Sequence, residues 1–377
     1  MSEANLPAAP TGPHRRRPRY RGKHPRRFEE KYKERDPARH ADTVAKVIAS
    51  GKTPAGTHRP IMVAEMLAAL APQPGDVAVD CTLGYGGHAR EILAKILPGG
   101  KLLGLDQDPL ELPKTEERLR ALGFDGQVFT AHRSNFAGLP QILAAQGIAG
   151  ADLILADLGV SSMQIDDPAR GFSVKFSGPL DMRMNPQRGR PVSEMLKNIQ
   201  PDALAQLLMQ NADEPKAVQL GAALAGKSFA TTHALAEAIR AALPLVPQEE
   251  CRLNIRRVFQ ALRIAVNDEF SALENFLRHL PMCLKPGGRA AILTFHSGED
   301  RRVKKAFADG RQNGVYAEIS ETVTRASAEE QRANPRAAPA KLRWARRAGG
   351  LDCPIPLQAQ IPSMIRPWTS ISRKSRP

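Results

Sequence analysis

The sequence predicts an α/β fold: a parallel sheet covered by helices on both faces, with a helical segment inserted after its fourth strand. Three observations carry this. Short apolar runs of strand length alternate with helical stretches, the pattern of a parallel sheet buried on both sides. A glycine-rich turn follows the first of those runs and opens into a helix. The alternation then stops between Ser162 and about Gln248 and resumes afterwards.

Taken in order, Pro60 followed by IMVAEMLAAL reads as a helix with proline in its first turn. VAVDC (77–81) is a first strand and HAREILAKIL (88–97) a helix. KLLGLD (101–106) is a second strand, followed by a helix to about Leu122 whose first turn must hold Pro113. QVFTAH (127–132) and ADLILADLG (151–159) are the third and fourth strands. The inserted segment starts loop-like and continues with PDALAQLLMQ (201–210) and TTHALAEAIRAAL (231–243), with Thr231 or Thr232 as N-cap. One long helix from about Arg257 to Leu280 leads through the turn KPGG into the strand RAAILTFH (289–296). No internal repeat is visible.

The 377 residues carry 54 Lys+Arg against 39 Asp+Glu, a net charge of +15, and the excess sits at the ends. Residues 1–57 are net +8, residues 301–377 net +10, and the stretch between them net −3. Basic ends attract polyanions and make binding salt-dependent. Residues 1–57 read as a basic, Pro- and Arg-rich tail with at most a short amphipathic helix around Thr43–Ala49, and residues 346–377 as a second basic tail. No run of about 18 uncharged apolar residues suggests a membrane span, and the start has no signal-peptide texture. The four cysteines, Cys81, Cys251, Cys283 and Cys353, have no metal-ligand spacing; no metal is expected, and a reducing cytoplasm fits.

In Asp80-Cys-Thr-Leu-Gly84-Tyr-Gly86-Gly87-His88, glycines at a strand-to-helix turn let backbone N–H groups approach a ligand at the positive end of the helix. Asp106 ends the next strand 20 residues after Gly86, where a carboxylate can accept ribose hydroxyls. Together these place a nucleoside across the carboxyl ends of adjacent strands. NAD and S-adenosylmethionine are both open on this evidence. A GxGG loop, where NAD sites carry GxGxxG, and an acid at Asp80 favour the methyl donor.

Asp157-Leu-Gly-Val-Ser-Ser-Met-Gln164, directly after the fourth strand, lies beside the ligand crevice of an open α/β sheet. From here the residues carry a resemblance. THRPIMVAEML, VDCTLGYGGHA, LLGLDQDP, ADLGVSSMQIDDPARGFSVKFSGPLDMRMNP, RRVFQALRIAVNDE and GGRAAILTFHSGEDRRVKKAF closely resemble the bacterial RsmH (MraW) family over about residues 58–343. The resemblance implies a Rossmann-like S-adenosylmethionine-dependent methyltransferase sheet, formed by 58–164 and 250–345, with an inserted, mostly helical substrate-recognition domain at 165–249. It implies methyl transfer to the N4 amine of a decoding-centre cytidine of 16S rRNA, in the small ribosomal subunit.

Carried over residue by residue, the resemblance makes Gly84, Gly86, Gly87 and His88 the methyl-donor loop, Asp106 the ribose acid and Phe136 the aromatic beside adenine. Asp157 and Gln164 become the remaining cofactor contacts. Because the exocyclic amine of cytosine is a poor nucleophile, Asp157 is also the expected catalytic group where methyl donor and base meet, either accepting from the amine or orienting the donor. Asp181 and Arg183 either pin the insertion by a salt bridge or line the base pocket. His296 is either structural or a substrate contact, Phe172 or Phe176 are candidates to stack the base, and Arg257 and Arg263 either meet RNA phosphate or are ion-paired. Tyr85, Leu253-Asn254-Ile255 and Gly298 depart from the family pattern. A non-catalytic RNA-binding assembly factor, or an amino-methyltransferase of another acceptor, are the competing readings; the first predicts damaged donor residues, yet Gly86, Asp106 and Asp157 are all present. Oligomeric state is not legible in the sequence.

Overall fold

A computed structural model describes residues 60–349. The expected tail 1–57, its helix at 43–49, and 350–377 lie outside the described residues. Seven strands form one sheet in the order β3-β2-β1-β4-β5-β7-β6. They are β1 (Val77–Asp80), β2 (Lys101–Asp106), β3 (Phe129–Arg133), β4 (Ala151–Asp157), β5 (Leu284–Thr294), β6 (Tyr316–Ile319) and β7 (Lys341–Arg347). The first five pair in parallel, and β7 runs antiparallel between β5 and β6. Their apolar runs are buried because both faces are covered. Ala78, Leu102, Leu153 and Leu155 pack into one core with helices α1 (Val63–Leu70) and α2 (Gly87–Ile96), and Val79, Leu103, Ile154 and Ile292 into the other with α4 (Leu139–Ala145). The strand order reverses between β1 and β4, and the crevice that ligands use in such sheets opens at their carboxyl ends.

The predicted elements recur with small shifts. Pro113 lies in the first turn of α3 (Leu112–Ala121), and the side chain of Thr231 caps helix Thr232–Ala242 by accepting from Ala234 N–H. Helix α1 begins at Val63, not at Pro60. The predicted single long helix is two. Gln248–Asn267 ends at Asp268, which takes a left-handed conformation (φ 50°), and Glu269–Cys283 follows with Pro281 inside it. An Asp tolerates that conformation, and Asn267 fixes the break: its amide donates to Met182 O (2.8 Å), and its Oδ1 accepts from Met184 N (2.7 Å). Helix Ser297–Gln312, β6 and β7 are not among the elements expected from the sequence, and β7 takes in the first two residues, Arg346 and Arg347, of the expected C-terminal tail.

In chain order the helices between β4 and β5 are α5 (Ser162–Asp166), α6 (Val192–Asn198), α7 (Pro201–Ala212), α8 (Ala217–Leu224), α9 (Thr232–Ala242), α10 (Gln248–Asn267) and α11 (Glu269–Cys283); α12 (Ser297–Gln312) follows β5. A third core holds the inserted helices together: Leu196, Leu204, Leu220 and Leu235 pack on Ile255, Val258 and Leu262 of α10. That core therefore extends past residue 249, and α10 joins the inserted helices to the sheet domain. Among the described residues, no helix is long and apolar enough to cross a membrane.

Candidate active site

A cavity of about 800 Å³ opens at the carboxyl ends of β1, β2 and β4. Of the predicted residues, Gly84, Gly87, His88, Asp106, Phe136, Asp157 and Gln164 line it, and Gly86, Asp181, Arg183 and His296 do not.

The glycine loop is shaped by contacts that exclude side chains. Gly84 and Gly86 have φ of 48° and 81°. A Cβ on Gly87 would fall 2.9 Å from Pro60 Cδ, and one on Gly86 3.0 Å from Thr115 Cγ2. Gly86 is held behind the loop, its N–H closing a turn on Leu83 O at 2.7 Å. Its part is to start α2, not to face the cavity. Tyr85, where the family pattern has glycine, lines the cavity with its ring 3.7 Å under the Arg118 guanidinium.

Three carboxyls stand at three strand ends. Asp106 accepts from the N–H groups of Gly84 (2.8 Å) and Asp108 (2.9 Å), yet burial raises its pKa to about 6. Burial likewise raises Asp80, at the end of β1, to about 6. Asp157 is raised to about 7, first by burial and then by the charge of Glu299. Its backbone N–H donates to Thr82 Oγ1 at 2.6 Å, its Oδ2 lies 3.6 Å from His88 Nδ1, and its Oδ1 is buried with no partner among the described residues. His88 Nε2 bonds Ile61 O at 2.9 Å, so that nitrogen carries the proton; burial lowers the ring's pKa and keeps it neutral. The site thus holds acids with, among the described residues, no cation set against Asp157. It is built for a positively charged ligand.

This fixes a pH dependence. Because folded Asp80, Asp106 and Asp157 hold protons more tightly than unfolded carboxyls, their contribution to stability is present below about pH 4 and declines as pH rises through 6 to 7. A cationic ligand favours the carboxylates, so its affinity should rise from pH 5.5 to 8 with proton release. Calorimetry of S-adenosylmethionine in buffers of different ionisation enthalpy measures both. Equal affinity and no proton release across that range would contradict the charge assignment.

Phe136 sits in a short 3₁₀ turn and meets Phe276 edge-on, ring centroids 5.5 Å apart. Gln164 orders the loop after Asp157. Its side chain accepts from Ser161 N–H (3.0 Å) while Ser161 Oγ accepts from Gln164 N–H, a reciprocal cap on α5, and its Nε2 donates to Asp108 Oδ2 at 2.8 Å. Asp108 is the residue the sequence reading missed. It is 1% exposed, lines the cavity, and its Oδ2 also accepts from Arg170 Nη1 at 2.8 Å. Arg170 in turn donates to Met184 O and Arg183 O. One buried pair therefore ties the β2 loop, α5 and the GPLDMRM segment together. The doubled acid of LDQDP was the only local signal for it.

Asp181 and Arg183 are paired with each other, Arg183 Nε and Nη2 reaching Asp181 Oδ1 and Oδ2 at 2.7 and 2.8 Å, and Arg183 Nη1 donates to Gly189 O at 3.1 Å. They clamp Met182, which is buried with φ 63°. His296 precedes α12, with Nε2 3.1 Å from Glu299 Oε1 and Nδ1 without a partner among the described residues. It sits behind Glu299, whose other oxygen accepts from Phe295 N–H and which lines the cavity. Burial alone would raise the Glu299 pKa; His296 and Arg263 outweigh that and lower it. Arg263 is ion-paired, donating twice to Glu269 at 2.8 Å. Phe172 lines the cavity and Phe176 does not. Of the departures, Asn254 bonds the buried Glu214 at 2.6 Å, and Gly298 leaves room that Phe270 fills, since a Cβ there would lie 2.6 Å from Phe270 Cζ.

Set against known proteins, residues 55–348 match the model of the MraW methylase family. The chain is 48% identical over 344 residues to ribosomal RNA small subunit methyltransferase H 1 of Lachnoclostridium phytofermentans, covering 89% of this chain and 93% of that protein. It is 49% identical over 342 residues to ribosomal RNA small subunit methyltransferase H 2 of Alkaliphilus metalliredigens, covering 88% and 97%. Among solved structures, a SAM-dependent O-methyltransferase of Thermotoga maritima is similar with a TM-score of 0.37 at 10% identity, over 81% of this chain and 71% of that one. The match spans the glycine loop, the strand-end acids and the inserted helices alike, and the chain belongs to the MraW methylase family.

Proposed function

We propose that this chain transfers a methyl group from S-adenosylmethionine to the N4 amine of a decoding-centre cytidine of 16S rRNA, in the small ribosomal subunit and in the cytoplasm. The relatives' names support the small-subunit rRNA acceptor. The observation that carries the chemistry is Asp157: a carboxyl in the cavity wall with one buried, unpartnered oxygen and no opposing cation. The residues fit the donor. The glycine loop leaves space, Asp106 offers acceptors, Phe136 offers an aromatic face, and the acids complement a sulfonium. When bound, S-adenosylmethionine supplies an electrophilic methyl on a positively charged sulfur. The exocyclic amine of cytosine is conjugated with its ring and attacks poorly. The Asp157 carboxylate accepts one amine N–H, turns the nitrogen lone pair out of conjugation, and takes the proton as it becomes acidic; its raised pKa suits that step. The cavity walls hold the base in line and exclude water, which contributes several kcal/mol through alignment alone. A base in folded RNA must leave its stack to enter.

The test is incubation with labelled S-adenosylmethionine and small subunits from a strain lacking this gene. About one methyl per subunit, in RNA, is expected. Donor binding without transfer to subunits would favour another acceptor or a non-catalytic assembly role.

A further inference from the structure

The cavity wall includes a stripe along one face of α10: Arg256, Phe259, Gln260, Arg263 and Asn267, spaced as helical neighbours. Three arginines line the cavity in all, and two are neutralised. Arg263 is paired with Glu269, and Arg336 donates to Asp166 at 2.7 Å. Arg256 is exposed and has no carboxylate partner among the described residues. The interior is lined by the carboxyls of Asp106, Asp157 and Glu299 and, among the described residues, by no unpaired cation, so it offers a phosphate no partner. A nucleotide whose base enters must keep its backbone at the rim, and among the described lining residues the cation without a carboxylate partner is Arg256. We propose that Arg256 holds an RNA phosphate next to the target nucleoside and thereby positions the base. This rests on the RNA acceptor proposed above. Such contacts fix register without reading sequence, so Arg256 is a positioning residue.

The experiment compares full-length wild type, Arg256→Ala and Arg256→Lys. Alanine suits an exposed helical site and should fold normally. Three readouts are taken: subunit binding by filter retention across a salt series, KM and kcat for subunit methylation, and S-adenosylmethionine affinity. Arg256→Ala should weaken subunit binding and raise KM about tenfold, lower the slope of log K against log salt by about one, and leave kcat and donor affinity within about twofold. Arg256→Lys should restore most of the salt slope. An unchanged slope and KM would overturn the proposal, as would a fall in kcat alone. Because binding is read separately from transfer, a wild type that binds subunits without methylating them would sink the proposed reaction and still test Arg256. A wild type that does not bind subunits would overturn both.

Discussion

Asp157→Asn should lower turnover by about 10² to 10³-fold, with donor affinity changed by less than about tenfold. The substitution keeps the size of the side chain and removes the carboxylate. Strand β4 is held by its ladder to β5, and the residue's N–H by Thr82, so the fold is not at stake. The buried carboxyl is destabilising once ionised, since burial and Glu299 both oppose its charge. The variant should therefore be at least as stable as the wild type at pH 8, where the native carboxyl is ionised. Lost turnover in a fully stable protein separates a chemical role from a structural one. Full turnover in Asp157→Asn would remove the residue from the chemistry.

The second large effect is on stability. Asp108 and Arg170 form an ion pair with side chains 1% and 9% exposed, in which Asp108 also holds Gln164 and Arg170 also holds two carbonyls. Removing either partner leaves an uncompensated buried charge, which costs about 3–5 kcal/mol. Arg170→Met and Asp108→Ala should each lose stability of that order in urea denaturation. The double variant should lose clearly less than the sum, because it leaves no charge unpaired. Single losses below about 1 kcal/mol would mean the pair is worth no more than a surface pair. Donor affinity should fall with the singles, since Asp108 anchors the loop that carries Gln164 and Asp157.

What the sequence made legible was local. The alternation of apolar runs and helices gave β1 to β4 within a few residues, because a parallel strand buried on both faces is a continuous apolar run. The glycine loop and Asp106 could be read because strand, turn, helix and acid are consecutive in the chain. The rest depended on distant partners. Asp108 and Arg170 are 62 residues apart, and neither shows its partner in its own motif. The break at Asp268 follows from Asn267 reaching the insertion, 85 residues back. Strand β6 is only four residues long with Glu318 inside it, and β7 carries one Lys and three Arg, so their apolar alternation is faint. The pairing of Asp181 with Arg183 was one of two readings open in the sequence; the geometry shows it made, and away from the cavity. His296, adjacent to a strand end, does not line the cavity, whereas Glu299, which it contacts from one helical turn away, does.

The most direct test of the account is to digest 16S rRNA from subunits methylated by this protein and locate the new methyl by nucleoside mass spectrometry. One additional methyl is expected on the exocyclic N4 of a single cytidine, formed about 10² to 10³-fold more slowly by Asp157→Asn. A methyl on a ring carbon or on a ribose hydroxyl would contradict it, because neither presents an amine N–H to the Asp157 carboxylate, and a methyl on ribosomal protein would place the acceptor outside the RNA.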